Sequence, residues 1–222
     1  MRICEWRELG RIRYGEALAL QRDLVEKRKR DLIPDQFLLL EHPHVITLGR
    51  NGRPEHLLAS PEVLERAGIE FFHTDRGGDI TYHGPGQVVG YPILDLRDWR
   101  KDVVAYVRGL EQVIIEALAE FGLRGEREPG RTGVWIQGRK IAAIGVHVSR
   151  WVTSHGFAFN VSTDLSYFRY IVPCGLTAPV TSMAELGVQT DLQHVHAALV
   201  RAFSRVFGCE MIGPVVPVEQ AT

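Results

Sequence analysis

The chain has 222 residues, of which 45% are hydrophobic and 24% charged, with a formal net charge of −1. This is globular composition with enough length for a sizeable core, and near-neutrality removes any global field toward nucleic acid or a membrane surface, so a charged partner must meet a local patch. The three scattered cysteines, Cys4, Cys174 and Cys209, make neither a disulfide framework nor a CxxC zinc pair, and no apolar run suits a leader or a membrane span. We therefore read a reduced, cytoplasmic protein whose length allows one large domain or one and a half; our expectation is one domain over residues 1–222, a monomer, with no metal and no cofactor.

In chain order, Ile3 to Leu9 alternates loosely as a first strand. Tyr14 to Arg30 repeats apolar residues at helical spacing and ends in the basic run Lys27-Arg28-Lys29-Arg30, which is either a dipole-favoured helix end or a docking patch for an acidic partner. Gln36 to Glu41 (QFLLLE) holds a continuous apolar run short enough for a buried strand. His42-Pro43-His44 interrupts it and Val45 to Leu48 resumes it; no further ligands stand at a spacing that would make these histidines a metal site. Ser60-Pro61 reads as N-cap and first position of a helix running to Ala67, closed by Gly68, with Ile69 to Phe72 a strand. Val88 to Leu96 is a strand whose Pro92 places it at an edge or a bulge. Asp102 to Phe121 is an amphipathic helix closed by Gly122, and Arg124 to Arg131 a loop. Val134 to Ile136 and Lys140 to Val148 form a hairpin about Gln137-Gly138, and Phe157 to Val161 is a further strand. Tyr167 to Val172 leads into Pro173-Cys174-Gly175, Ser182 to Leu186 is a short helix, and Asp191 to Phe207 a long one. Mixed strands with long helices give an α+β fold on a mostly antiparallel sheet.

The stretch from Arg76 to Tyr91, RGGDITYHGPGQVVGY, stands apart. Five glycines broken by β-formers suggest two strands around a backbone-lined turn, suited either to a mostly apolar ligand or to an ordinary hairpin connection. Gly84-Pro85-Gly86 with Gly90 has the wrong spacing for a dinucleotide fingerprint. Gly133 to Lys140 fails as a P-loop because Arg139 stands where lysine is required. Cys174, between proline and glycine after an apolar segment, is either a small buried hydrophobe or a presented nucleophile. A nucleophile needs a cationic or basic neighbour. Lys140, alone in an apolar strand region, is one candidate; His83, His147 and His155 are others.

RGGDITYHGPGQ, then GRKIAAIGVHVSRWVTSHGFAFNVSTDL, then PCGL followed by VTS, in that order and spacing, resemble the lipoyl(octanoyl) transferases, octanoyl-[acyl-carrier-protein]:protein N-octanoyltransferases. The resemblance runs from about Arg76 to Ser182. It implies the α+β fold shared with lipoate and biotin protein ligases. It also implies transfer of octanoate from acyl carrier protein to a lysine of the lipoyl domains of 2-oxoacid dehydrogenases and of the glycine cleavage H protein. Carried over by position, Cys174 matches the acyl-accepting nucleophile and Lys140 the lysine that lowers its pKa. Arg76, Gly77, Gly78, Asp79, Ile80, Thr81, Tyr82 and His83 match a first substrate-binding segment. Ala143, Ile144 and Gly145 match a second, and Gly156, Phe157 and Ala158 a third. Asp79 stands where many members carry glutamine or lysine, and His147 where a basic residue is common.

On this resemblance Cys174 takes the acyl group from the carrier thioester and the acceptor lysine then forms the amide, with Lys140 or His83 as base. Backbone N–H groups of Gly77, Gly78 or Gly175 are candidates for the oxyanion, and Ile144, Phe157 and the glycine stretch for lining an acyl tunnel. The rivals are an ATP-dependent lipoate or biotin ligase of the same fold, a cysteine hydrolase, and a non-catalytic lipoyl-domain binding module.

Overall fold

The computed structural model describes residues 2–172 and 179–215. Strands β1 (Arg2–Arg11), β2 (Asp35–Glu41), β6 (Gln87–Ile93), β7 (Glu126–Glu128), β8 (Arg131–Ile136), β9 (Arg139–Ser149), β10 (Val152–Asn160) and β11 (Cys209–Ile212) form an eight-stranded sheet in the order β11-β1-β2-β6-β10-β9-β8-β7. The pairs β11-β1 and β1-β2 are parallel, and the rest of this sheet is antiparallel. A three-stranded sheet, β4-β3-β5, is built from β3 (Val45–Leu48), β4 (Glu70–His73) and β5 (Ile80–His83).

Helices cover both faces of the large sheet. The residues of β2 show this directly: Phe37 and Leu39 enter the cluster beneath α3 (Val103–Glu120) and α4 (Leu192–Phe207), while Leu38 and Leu40 enter the cluster beneath α1 (Tyr14–Lys29). Successive strand side chains point to opposite faces, so an unbroken apolar run belongs to a strand buried on both. The small sheet and the short α2 (Pro61–Arg66) enclose a third cluster around Ile46, Leu64 and Tyr82. It lies on the α1 side, where Tyr14 packs on Phe72 with ring centroids 5.1 Å apart and hydrogen-bonds Thr74 at 2.9 Å. Helix starts follow the sequence cues: Ser60, Asp102 and Asp191 each accept a backbone N–H of the first turn.

Several expectations need correcting. Pro92 sits neither at an edge nor in a bulge of its own strand: β6 is flanked by β2 and β10. The β10 ladder on β6 runs only from Phe157↔Gly90 to Asn160↔Gln87. Beyond it His155 has a positive φ of 55°, and Thr153 bridges instead, its hydroxyl donating to the Pro92 carbonyl and accepting from Leu94 N–H, both at 2.8 Å. The partner strand, not Pro92's own, is irregular, so no N–H is missed. The loop expected over Arg124 to Arg131 contains β7, and β11 was not foreseen; edge strands of three or four residues carry little periodicity. Ser182 to Leu186 is a set of turns rather than a helix. Leu165–Tyr170 forms a 3-10 helix.

Arg28 is not on a docking surface. Its guanidinium is buried, bonded to Asp35 (2.9 Å) and Asp31 (2.6 Å), and paired with Asp98. Lys27 pairs with Asp23 and Lys29 with Glu26, each at 2.7 Å. Three of the four charges in that run are thus neutralised within the fold.

Candidate active site

A cavity of about 500 Å³ lies between the α1 face of the large sheet and the glycine-rich stretch. Its floor is paved by small residues of two paired strands, Ala143 and Gly145 on β9 opposite Ala158 and Gly156 on β10. Two of these positions require glycine. A Cβ on Gly156 would stand 2.1 Å from the Gly90 carbonyl oxygen, and one on Gly145 would stand 2.7 Å from that of Gly77. The roof is the segment from Arg76 to Thr81. Backbone bonds fasten it, Gly77 N–H to Val146 O (2.8 Å), Gly49 N–H to Asp79 O (3.1 Å) and Arg50 N–H to Arg76 O (3.0 Å). The buried Arg76 guanidinium adds bonds to the Thr47 carbonyl (2.7 Å) and hydroxyl (2.9 Å). The first of these bonds removes Gly77 from the oxyanion candidates, because its N–H is already donated.

Of the residues expected at the site, Arg76, Gly77, Gly78, Asp79, Ile80, Thr81, His83, Lys140, Ala143, Ile144, Gly145, Gly156, Phe157 and Ala158 all line this cavity. Tyr82 is not among its lining residues. As the neighbour of Thr81 and His83 on a strand it points to the other side, into the third core cluster, where its ring stacks on Tyr167 (5.2 Å) and its hydroxyl bonds His44 (2.7 Å). Cys174 lies outside the described residues, as does Gly175. Asp79 is held by His56 and by the Arg53 N–H at 3.2 Å, so its carboxylate is occupied by a loop partner.

At one end of the cavity, Lys140 lies with its Nζ 4.8 Å from the centre of the Trp135 ring. Its backbone pairs with the chain that resumes at Pro179: Lys140 N–H donates to Pro179 O and Thr181 N–H to Lys140 O, each at 2.9 Å. On the other side of the undescribed stretch, Val172 N–H donates to His56 O at 2.8 Å.

The side walls hold further buried polar groups: Gln87, a polar handle of the glycine-rich stretch that the sequence already offers, and Tyr14, Tyr91 and Asn160, which it did not single out. Gln87 donates its amide to Tyr82 O (3.2 Å) and Asn160 Oδ1 (2.9 Å), so its oxygen accepts from His83 Nδ1–H (2.8 Å). Asn160 in turn donates to Thr181 O at 3.0 Å. This chain of bonds ties the glycine-rich stretch to the strand beside Lys140. Burial pushes His83 well below the usual histidine range, so it is neutral at pH 7 with Nδ1 protonated. His42 is likewise pushed down, to about 4, by burial; its Nδ1–H donates to Ile12 O (2.7 Å) and its Nε2 accepts from Tyr91 O–H (2.8 Å). His155 lines the cavity and donates from Nε2 to Asp75 (2.8 Å), a bond that holds the Asp75 carboxyl well below its ordinary value. His147 stands behind Asp75 at 3.8 Å. The only signal for Asn160 was its polarity within the otherwise apolar run Phe157 to Val161.

Fold and cavity together define an α+β domain with a cavity under a glycine-rich roof. The model for the lipoyl protein ligase A/B catalytic domain matches residues 13–204. An octanoyltransferase from Solibacter usitatus is 65% identical over 212 residues, covering 96% of each chain. One from Gloeobacter violaceus is 53% identical, over 91% of this chain and 90% of its own. Among solved structures, lipoate-protein ligase A bound with ATP superposes with a TM-score of 0.76 at 17% identity, over 96% of this chain and 90% of that one. A bi-partite lipoate protein ligase from Thermoplasma acidophilum gives 0.74 at 17%, over 96% and 88%. At such identity the structures share the fold. The chain belongs to the lipoyl protein ligase A/B family and, within it, to the octanoyltransferases. It is an acyltransferase.

Proposed function

We propose that the chain moves an octanoyl group from octanoyl-acyl carrier protein, through a thioester on Cys174, to a lysine of an acceptor lipoyl domain. The observation that carries this reading is the placement of Lys140 at the end of a small-residue acyl cavity, its backbone paired with Pro179 and Thr181, the chain that follows Cys174. A cation there favours the thiolate, which attacks the carrier thioester and expels the carrier thiolate; the Lys140 ammonium gives that leaving sulfur its proton. The acceptor lysine then attacks the Cys174 thioester, forming the amide and returning the sulfur. Thioester exchange is nearly balanced and amide formation is downhill, so no nucleotide is required. Burial of an eight-carbon tail among Ala143, Ala158 and Phe157 supplies roughly 5 kcal/mol at ~0.8 kcal/mol per methylene. Neutral His83, and Lys140 once it has given its proton to the departing carrier sulfur, are the groups on hand to take the proton from the incoming amine.

Incubation with octanoyl-acyl carrier protein should give a mass increase of one octanoyl group mapping to Cys174, and the Cys174→Ala variant should neither acquire it nor modify a lipoyl domain. Absence of the adduct in a single-turnover experiment refutes the thioester. Retention of an ATP-dependent activity by Cys174→Ala would point to the ligase reading instead.

A further inference from the structure

We infer that Trp135 is a positioning residue for the reaction: its indole face holds the Lys140 ammonium in place and through it sets the thiolate content of Cys174. The inference rests on the roles of Cys174 and Lys140 proposed above and adds the part of the fold that keeps the lysine aimed.

The geometry is specific. Trp135 and Lys140 are directly opposed across β8 and β9, and the register shifts between Val134↔Ala142 and Trp135↔Lys140. In an unbroken antiparallel ladder Trp135 would face Ile141. The extra residue on β9 is a bulge that turns Lys140, rather than an isoleucine, onto the ring, a recognised use of bulges beside active sites. Trp135 is 1% exposed, so its ring cannot swing away. Lys140 Nζ lies 4.8 Å from the ring centre, within cation–π range, while Arg131 Cζ lies 5.4 Å from the same centre.

The next shell is shaped to the same end. Gly133 has φ +132°, and a Cβ there would stand 3.4 Å from Lys140 Cε and 2.6 Å from Ala142 O. The lysine stem therefore runs over a residue with no side chain. Gly133 N–H is held at 3.1 Å by the fully buried Glu111 of α3, itself fixed by Arg108 (2.7 Å) and Arg127 (3.0 Å). A lysine head on four methylenes has many rotamers to choose among, and burial under an acyl chain disfavours the charged amine. The electron-rich ring face opposes both tendencies.

The test is the pH dependence of Cys174 alkylation in the intact protein. Trp135→Leu keeps apolar bulk and removes the ring; its profile midpoint should rise by about half a unit or more, roughly a threefold loss of thiolate below the midpoint. Trp135→Phe, a weaker ring, should shift less in the same direction, and it decides the matter should the leucine variant not fold. Lys140→Ala should shift further, and the Lys140→Ala, Trp135→Leu double variant no further than Lys140→Ala alone. If Lys140→Ala shifts the profile while both Trp135 variants match the parent, or if the double variant is additive, Trp135 does not act through Lys140 and the inference falls alone. If Lys140→Ala leaves the profile unchanged, the role of Lys140 itself falls.

Discussion

Replacing Ala158 with leucine should change which acyl chain the enzyme accepts. Ala158 lies in the cavity floor, 4% exposed, directly opposite Ala143 on β9. Lys140 is three residues from Ala143, ~10 Å along a strand. On the proposed function the acyl chain starts from a thioester near Lys140, and eight carbons extended from there span about the same distance at standard bond lengths. Its last methylenes therefore lie over Ala158, whereas a four-carbon chain ends well short. Leucine adds three carbons to this floor, and displacing three methylenes from apolar contact costs ~2.4 kcal/mol, about 60-fold in kcat/KM. The measurement is a competition between octanoyl- and butanoyl-carrier donors, with amide product on a lipoyl domain resolved by mass. The expected result is a fall of that order for octanoyl and little change for butanoyl. Equal losses for both donors would show that the chain does not run along the β9–β10 floor.

Other outcomes follow from the packing. The His42 imidazole, pushed down to about 4 by burial, is neutral in the fold, while an unfolded histidine titrates near ~6.5. Above that pH neither state holds the proton; on acidification the unfolded state binds it first. Stability is therefore lost as pH falls from about 6.5 to about 4, by about 3 kcal/mol in all, with His83 acting in the same direction. Urea unfolding at intervals across that range checks this, and His42→Phe, though weaker at pH 7, should show a shallower slope. Arg28→Ala leaves the fully buried Asp35 carboxylate with the Asp95 N–H, at 2.9 Å, and one remaining cation among the described residues, Arg2 at 3.1 Å, and should cost about 3 kcal/mol. The kcat/KM per folded molecule should not change; a selective rise in the KM for acyl carrier protein would restore the docking role for that basic run.

Much of this protein was legible from its residues. The unbroken run Phe37 to Leu40 announced a buried strand, Ser60, Asp102 and Asp191 marked helix starts, and the three segments matched by the family resemblance supply about half of the cavity lining. These features are local, since periodicity, capping and freedom from a Cβ are properties of a residue and its near neighbours. What the fold alone decided is long-range. Tyr82 faces away from the ligand because β5 pairs with β3 in one register and not the next. Pro92 is tolerated beside β10 because His155, sixty-odd positions later, breaks the ladder there. Trp135 meets Lys140 because a single extra residue on β9 shifts their pairing, and Arg28 is buried because carboxylates from a distant loop close over it. Sequence spacing does not carry strand register or the meeting of remote charges, since both are set by which surfaces pack together once the chain has collapsed.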